Sequence, residues 1–329
     1  MTIDAEILRS LRTNETGSVS GADLSQRLNI SRAAIWARIE ELRALGYDIE
    51  ASPHRGYTLR ASPDLLHADD LLSRLDESQI IGRDIRVFQN TTSTNDIVEK
   101  LARDGVAEGA VVFAESQSLG RGRLGREWVS PAGKGLWFSI LLRPKLAPQA
   151  VTKLTIASAI ALARAVRNTT HLNPEIKWPN DLLLAGKKIS GVLTELTAEL
   201  DHVKHVILGI GINVNMTESD FPKTLRSTAS SLRIQSGRLI DRPEFAAEVL
   251  RQLNHDYKRV TEGCFFDVAE EWENISCTLN RDVQIQVGDR TIKGRAENLD
   301  QDGALLVRTQ HGHLERIIGG DVTMRKNEP

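Results

Sequence analysis

The sequence predicts a multidomain α/β (α+β) chain: a winged helix-turn-helix at the N-terminus, a central mixed sheet covered by helices, and a small antiparallel β-barrel or sandwich at the C-terminus. Three observations carry this. Residues 1–60 read as three short helices and a hairpin, the middle of the chain alternates strand and helix patterns, and from Val283 onward only short strand-like runs between turn residues remain. The boundaries fall at 1–62, 63–275 and 276–329, since 329 residues exceed one ordinary core of about 100–200 residues.

In the head, Ile3, Ile7, Leu8 and Leu11 recur at helical spacing, and Ser20 announces a second helix with Asp23 three residues on. Asn29-Ile30 makes a turn, Ser31 caps a third helix, and Ile35, Ile39 and Leu42 line its inner face until Gly46 ends it. Tyr47–Ala51 and Tyr57–Arg60, joined by Ser52-Pro53-His54-Arg55-Gly56, predict two strands of a wing. Ser31, Arg32, Ala33 and Trp36 occupy the helix start that enters a major groove in such motifs, and Arg55 in the wing would meet phosphate. The segment holds eight arginines against eight acidic residues, so its basic face has to be local; a head that only packs on the rest of the chain is the alternative.

Pro63–Leu75 reads as a linker into a short helix. Strands are predicted ending near Asn90 and over Val111–Glu115, Leu136–Leu142, Glu175–Leu184, Ile189–Leu196 and Val203–Val214, with helices over Asn95–Arg103, Val151–Asn168 and Pro243–Val260. The C-terminal runs Val283–Val287, Ala304–Val307 and Glu315–Ile318 are separated by Gly288-Asp289, Asp302-Gly303 and Gly312.

Gly120-Arg121-Gly122-Arg123-Leu124-Gly125-Arg126 places three glycines and three arginines in seven residues. Glycines let backbone N–H groups approach a ligand, and guanidinium forks match phosphate oxygens, so the segment reads as an anion cradle; a solvated surface loop is the plainer reading. A dinucleotide fingerprint fails on context, because Pro131, Gly133 and Gly135 follow where a helix should open. A P-loop fails because Arg126 and Glu127 stand where Lys and Ser/Thr are required, and no kinase catalytic loop is present.

Ser93-Thr94-Asn95 stands at a helix start, where capping is the first reading and binding of a small polar ligand the second. Lys177-Trp178-Pro179-Asn180-Asp181 sets a proline in a strand pattern, which signals an edge or a bulge that re-aims side chains. Lys187 and Lys188 suit a solvated hairpin tip, yet one of them facing inward would neutralise charge on an α-phosphate. Gly209-Ile210-Gly211-Ile212-Asn213 ends an apolar strand with a carboxamide suited to an adenine edge.

Composition bounds the function classes. A net charge of −2 gives no global basic field, and 40% hydrophobic with 26% charged residues is ordinary for a globular protein. Asp4 and Glu6 argue against a secretory start, and the charge-free runs Leu154–Ala163 and Gly135–Leu142 fall short of the roughly 20 residues that span a bilayer. Cys264 and Cys277 lack partners at zinc spacing and read as ordinary thiols of a reducing compartment, which makes the cytoplasm the expected location.

Taken in order, TSTN (92–95), GRGRLGR (120–126), KWPND (177–181), KKISG (187–191) and GIGINVN (209–215) resemble the ligand-binding series of the biotin protein ligases, and SRAAI (31–35) with the wing resembles members that also repress biotin biosynthesis. The resemblance covers nearly the whole chain and implies an SH3-like C-terminal barrel and a biotin–[acetyl-CoA-carboxylase] ligase. It implies that biotin attacks the α-phosphate of MgATP to give biotinyl-5′-AMP, and that a lysine of a biotin carboxyl carrier protein then displaces AMP. It also implies biotinyl-5′-AMP as corepressor, operator DNA as partner, a ligand-linked homodimer and no membrane association. Carried over by position, Ser93, Thr94, Asn95, Gln117, Arg121, Gly122, Arg123, Lys188, Trp137 and Gly191 would hold biotin, with Ile189 beside Trp137 along the apolar part. Arg121, Arg123, Arg126, Asn180 and Asn213 would hold the nucleotide; Arg123, Lys188 and Asp181 would be catalytic; any metal would come with ATP. The loop is expected to be flexible without an anion, its arginines repelling one another. The family often carries a further arginine where this chain has Leu124. A purely adenylate-sensing transcription factor is the competing reading.

Overall fold

In the computed structural model, residues 1–14, 17–53, 55–200 and 202–324 are described; His54 of the expected wing turn and residues 325–329 of the C-terminal segment lie outside them. The chain divides into two compact units, Met1–Ser78 with Asp241–Ala247, and Gln79–Ile240 with Glu248–Pro329. The first opens with α1 (Ile3–Thr13), α2 (Gly21–Leu28) and α3 (Arg32–Ala44), then the antiparallel hairpin β1 (Asp48–Ser52) and β2 (Gly56–Ala61), then α4 (Ala68–Ser73). Ser20 Oγ accepts from the Asp23 amide at 3.0 Å and Ser31 Oγ from the Ala34 amide at 3.1 Å, satisfying donors that a helix start leaves open. Asn29 turns the chain between α2 and α3 in the left-handed region, at φ 54°. Ile7, Leu8, Leu24, Ile35, Ile39 and Leu42 form the core, each burial contributing about 1.5–3 kcal/mol. With that face turned inward, Ser31, Arg32, Ala33 and Trp36 are left exposed on α3, as is Arg55 beyond β1.

The second unit runs β3 (Asp84–Thr91), α5 (Thr94–Arg103), β4 (Ala110–Gln117), β5 (Gly135–Leu142), α6 (Thr152–Thr170), β6 (Glu175–Lys177), β7 (Asp181–Leu184), β8 (Lys187–Glu199), β9 (His202–Asn213), α7 (Leu232–Ser236), α8 (Arg242–Thr261, whose start belongs to the first unit) and α9 (Phe265–Ile275). One seven-stranded sheet has the order β3-β4-β5-β9-β8-β7-β6, with β3 and β4 parallel and the other pairs antiparallel. All eight residues of β5 are buried, which is why it reads as a continuous apolar run rather than an alternation. The stretch Pro148–Thr170 is long and apolar enough to cross a bilayer, but 78% of its apolar window is buried inside the protein, as befits a core helix. The single strand expected over Glu175–Leu184 is two: the chain reverses at Trp178-Pro179-Asn180, around a cis Trp178–Pro179 bond, and Lys177 pairs with Asp181. Helix α9 escaped the sequence reading although Phe265, Val268 and Trp272 bury one face of it. The remaining strands β10 (Asp282–Val287), β11 (Arg290–Leu299), β12 (Leu305–Thr309), β13 (Leu314–Ile317) and β14 (Asp321–Met324) form an antiparallel sheet in the order β13-β12-β11-β10-β14.

Residues 63–75, which read as a linker into a short helix, make charged contacts within the first unit. Asp70, only 1% exposed, accepts from Arg12 and, at 3.1 Å, from Arg74 Nε. Arg74 also pairs with Glu244, and buried Arg242 donates to Asp64 at 3.0 Å. Removing the shared carboxylate takes an ion-pair partner from two largely buried guanidinium groups, those of Arg12 and Arg74, and breaking a buried pair typically costs about 3–5 kcal/mol. Asp70→Ala is therefore expected to lower the stability of the first unit by about that much in urea unfolding followed by circular dichroism; a change under about 1 kcal/mol would place these charges in water instead.

Candidate active site

A cavity of about 450 Å³ opens in the second unit, walled by the start of α5, the end of β4, the 120–129 loop, the β6–β7 turn, the glycine-bearing parts of β8 and β9, and the start of β14. Each wall has a different chemistry.

The first wall is polar and buried. Ser93, Thr94 and Asn95 are 3–4% exposed and line the cavity with Gln117. Capping is not what they do: Ser93 holds the N-cap position of α5 but makes no side-chain cap hydrogen bond. Gln117 Oε1 accepts from the Thr94 amide at 2.9 Å, and its Nε2 donates to Ser130 Oγ at 3.0 Å. Thr94 Oγ1 lies 2.6 Å from Ser139 Oγ, Ser139 donates to Asn95 Oδ1, and Asn95 Nδ2 donates to Glu195 Oε2 at 2.8 Å. Asn95 fits because β9 has no side chain at Gly209, where a Cβ would stand 2.3 Å from its Oδ1.

The second wall is cationic. In the glycine-arginine segment Gly122 N–H donates to Arg126 O at 2.7 Å, Trp128 N–H to Gly120 O at 2.8 Å, and Leu124 and Gly125 take φ of 57° and 71°. Each of its arginines has a protein partner. Arg121 pairs with Asp96 at 2.7 Å, and Arg126 pairs with Asp321 of β14. Arg123 donates to Asn180 Oδ1 at 2.9 Å and to Gly320 O at 3.0 Å. Asp96 holds the Arg121 guanidinium above its ordinary pKa, and Asp321 does the same for Arg126, which in turn draws Asp321 down. Burial pushes Arg123 the other way, opposed by Asp181 and Asp321.

Lys188 faces inward rather than forming a solvated tip. Its Nζ sits 2.6 Å from Asp181 Oδ1 and 5.3 Å from the centre of the Trp128 ring. Trp128 in turn lies flat against β8 and β9, where Cβ atoms at Gly191 and Gly211 would come within 3.2 and 2.4 Å of its indole. Asn180 also donates to Val192 O at 2.9 Å, so its carboxamide is spent on orienting Arg123. Asn213 lines the cavity and donates from Nδ2 to Ser230 O at 2.9 Å.

Trp137 and Ile189, expected along the apolar part, are fully buried and outside the lining. The Trp137 ring is taken up in a core with Met216 and Phe221, edge-on to Trp128 at 6.3 Å, and Trp128 provides the aromatic surface instead. Sequence reasoning also missed Ser139, Glu195, Asp96 and Asp321. Asp96 was legible, following Asn95 directly in a helix's first turn, whereas Asp321 is 195 residues from Arg126 and had no local signal. Among the described residues no three of His, Cys, Asp or Glu gather to hold a metal ion. A buried hydrogen-bonding wall facing arginine and lysine across about 450 Å³ suits a ligand with a neutral polar head and an anionic tail.

Comparison with known proteins agrees with this division. Residues 87–213 match the Biotin/lipoate A/B protein ligase family, residues 5–58 an HTH domain, and residues 278–325 the Biotin protein ligase C terminal domain. The chain is 35% identical over 306 residues to the bifunctional ligase/repressor BirA of Bacillus subtilis, covering 93% of this chain and 94% of that protein. It is 32% identical over 310 residues to the bifunctional ligase/repressor BirA of Escherichia coli, covering 94% of each. The solved biotin protein ligase from Aquifex aeolicus in complex with biotin and ATP superposes with a TM-score of 0.64 at 30% identity, over 74% of this chain and all of that one. A helix-turn-helix head, a central ligase sheet with its arginine-walled cavity, and a C-terminal sheet, matched over nine-tenths of their length at this identity, mean that the chain belongs to the family of bifunctional biotin protein ligase/repressors.

Proposed function

We propose that this chain activates biotin with MgATP to biotinyl-5′-AMP, passes the biotinyl group to a lysine of a biotin carboxyl carrier protein of acetyl-CoA carboxylase, and uses the adenylate as corepressor at operator DNA of biotin genes. The observation that carries it is the single cavity in which the buried Ser93-Thr94-Asn95-Gln117 wall faces Arg121, Arg123 and Lys188. The neutral ureido ring fits the uncharged wall, and the carboxylate and α-phosphate fit the cations.

In this reading the biotin carboxylate oxygen attacks the α-phosphorus, the bond to the β-phosphate bridge breaks, and pyrophosphate leaves; Mg²⁺ carried by ATP would add charge neutralisation on the phosphates. Carboxylate and phosphate repel, so Arg123 and Lys188 lower the barrier by neutralising both, with Arg121, Gly122 and Arg126 along the phosphates. Asp181 anchors Lys188 before the anion arrives, and a charge-assisted contact at 2.6 Å is readily exchanged for phosphate oxygens. In the second step the carrier amine attacks the biotinyl carbonyl, the acyl–phosphate bond breaks, the nitrogen loses a proton and AMP departs. Gly191 leaves room for the acyl chain beside Trp128, and Asn213 Oδ1 accepts from the adenine amine. The C-terminal strand closes the loop through Gly320 and Asp321, which limits access of water to the anhydride. On the head, Ser31, Arg32, Ala33 and Trp36 meet base edges and Arg55 a phosphate, with two liganded chains pairing to span an operator. Cytoplasmic location, away from membranes, follows from these partners.

Incubation with biotin, MgATP and a carrier domain, read by streptavidin blot, is expected to label the carrier; an unlabelled carrier would remove the enzyme reading. Arg123→Ala is expected to slow adenylate formation by about 100-fold, the usual cost of losing one preorganised charge donor, measured by pyrophosphate release. In gel shifts on the chain's own biotin-gene promoter, biotin with ATP is expected to tighten binding, and Arg32→Ala to weaken it. Equal affinity for unrelated DNA would sink the repressor reading.

A further inference from the structure

The polar wall has a direction. An ionised carboxylate has no proton to give, so the atom of Asn95 facing Glu195 at 2.8 Å must be the amide nitrogen, which turns Asn95 Oδ1 toward Ser139. Ser139 must then spend its only proton on Asn95. At the far end a backbone carbonyl plays the same part: Ser130 donates to Trp128 O at 3.1 Å, so it accepts from Gln117 Nε2 at 3.0 Å, and Gln117 Oε1 is turned to the Thr94 amide. Thr94 Oγ1 now stands between two groups that can only accept from it, Ser139 Oγ at 2.6 Å and Gln117 Oε1 at 3.2 Å. Whichever takes its proton, the hydroxyl faces the cavity with lone pairs alone.

From this we propose that Glu195, which is not among the lining residues, is a positioning residue for the first substrate. As the acceptor at the end of the chain it orders the protons of Asn95, Ser139 and Thr94, so that the buried wall presents acceptors and selects a ligand carrying N–H donors, such as a cyclic urea. The inference rests on the reading of this cavity as the biotin site. Gly209 makes room for the device, since a Cβ there would stand 2.3 Å from Asn95 Oδ1. Glu195 also faces one cation, Arg121 Nη2 at 3.8 Å, whose nearer partner is Asp96 at 2.7 Å. A charge role through Arg121 and a proton-ordering role through Asn95 therefore predict different responses to Glu195→Gln, which keeps an acceptor and loses the charge.

The test is biotin binding by calorimetry together with KM for ATP, in the full chain, for wild type, Glu195→Ala and Glu195→Gln. Freed of the acceptor, Asn95 can turn over and the wall loses its order. Glu195→Ala is expected to weaken biotin at least tenfold with KM for ATP changed less than twofold, and Glu195→Gln to restore affinity to within threefold of wild type. The Glu195 side chain is 40% exposed, so both variants are expected to fold; a thermal melt checks this, and Glu195→Met, which keeps the stem, carries the same expectation as alanine. Unchanged biotin affinity in the alanine and methionine variants overturns the proposal. So does a glutamine variant as weak as alanine, which would assign the effect to charge at Arg121. Wild type that binds no biotin at all would instead overturn the reading of the cavity itself.

Discussion

The cavity exists because two neighbouring strands carry no side chain at three positions. Strands β8 and β9 pair Gly191 with Gly211, and a Cβ on either would enter the Trp128 indole, while one on Gly209 would enter the Asn95 carboxamide. A sheet surface is normally covered by its own side chains; here bare backbone lets groups from a loop and a helix start come down onto it. Everything else follows from that approach. Trp128 brings the arginine loop with it, Lys188 settles near the indole ring, and Asn95 reaches Glu195 across the strand.

The electrostatics are arranged so that Arg121, Arg123, Arg126 and Lys188 are each held by a protein partner, Lys188 by Asp181. Arg121 and Arg126 are tied to carboxylates, and the more buried Arg123 donates to a carboxamide and a carbonyl. Hydrogen-bond partners that are neutral fix its geometry before an anion binds, while Asp181 and Asp321 lie close enough to oppose the effect of its burial.

Most of the architecture was legible in the chain, because periodicity, caps and turn residues act locally. Ser20 and Ser31 cap as their spacing predicts, and the uniform apolarity of 135–142 reports a strand covered on both faces. What escaped was set by distant contacts. The break at Pro179 was visible as a distortion but not as a reversal, and Trp137 was misjudged because nothing in a strand tells which aromatic residue a loop will lay over it. Ser93 misled in the other direction: its residue type promises a cap, and only the neighbouring strands show that its side chain is turned into the cavity. The loop's arginine partners escaped for the same reason, since repulsion among its arginines is local and their partners are not.

The tether from Arg123 to the Gly320 carbonyl spans 197 positions of sequence. A ribosome delivers the guanidinium early and its carbonyl partner near the close of translation, after the glycine-bearing strands are already available. A polypeptide interrupted before Gly320 would possess the wall of Ser93, Thr94, Asn95 and Gln117 yet lack the latch that fixes the Arg123 guanidinium.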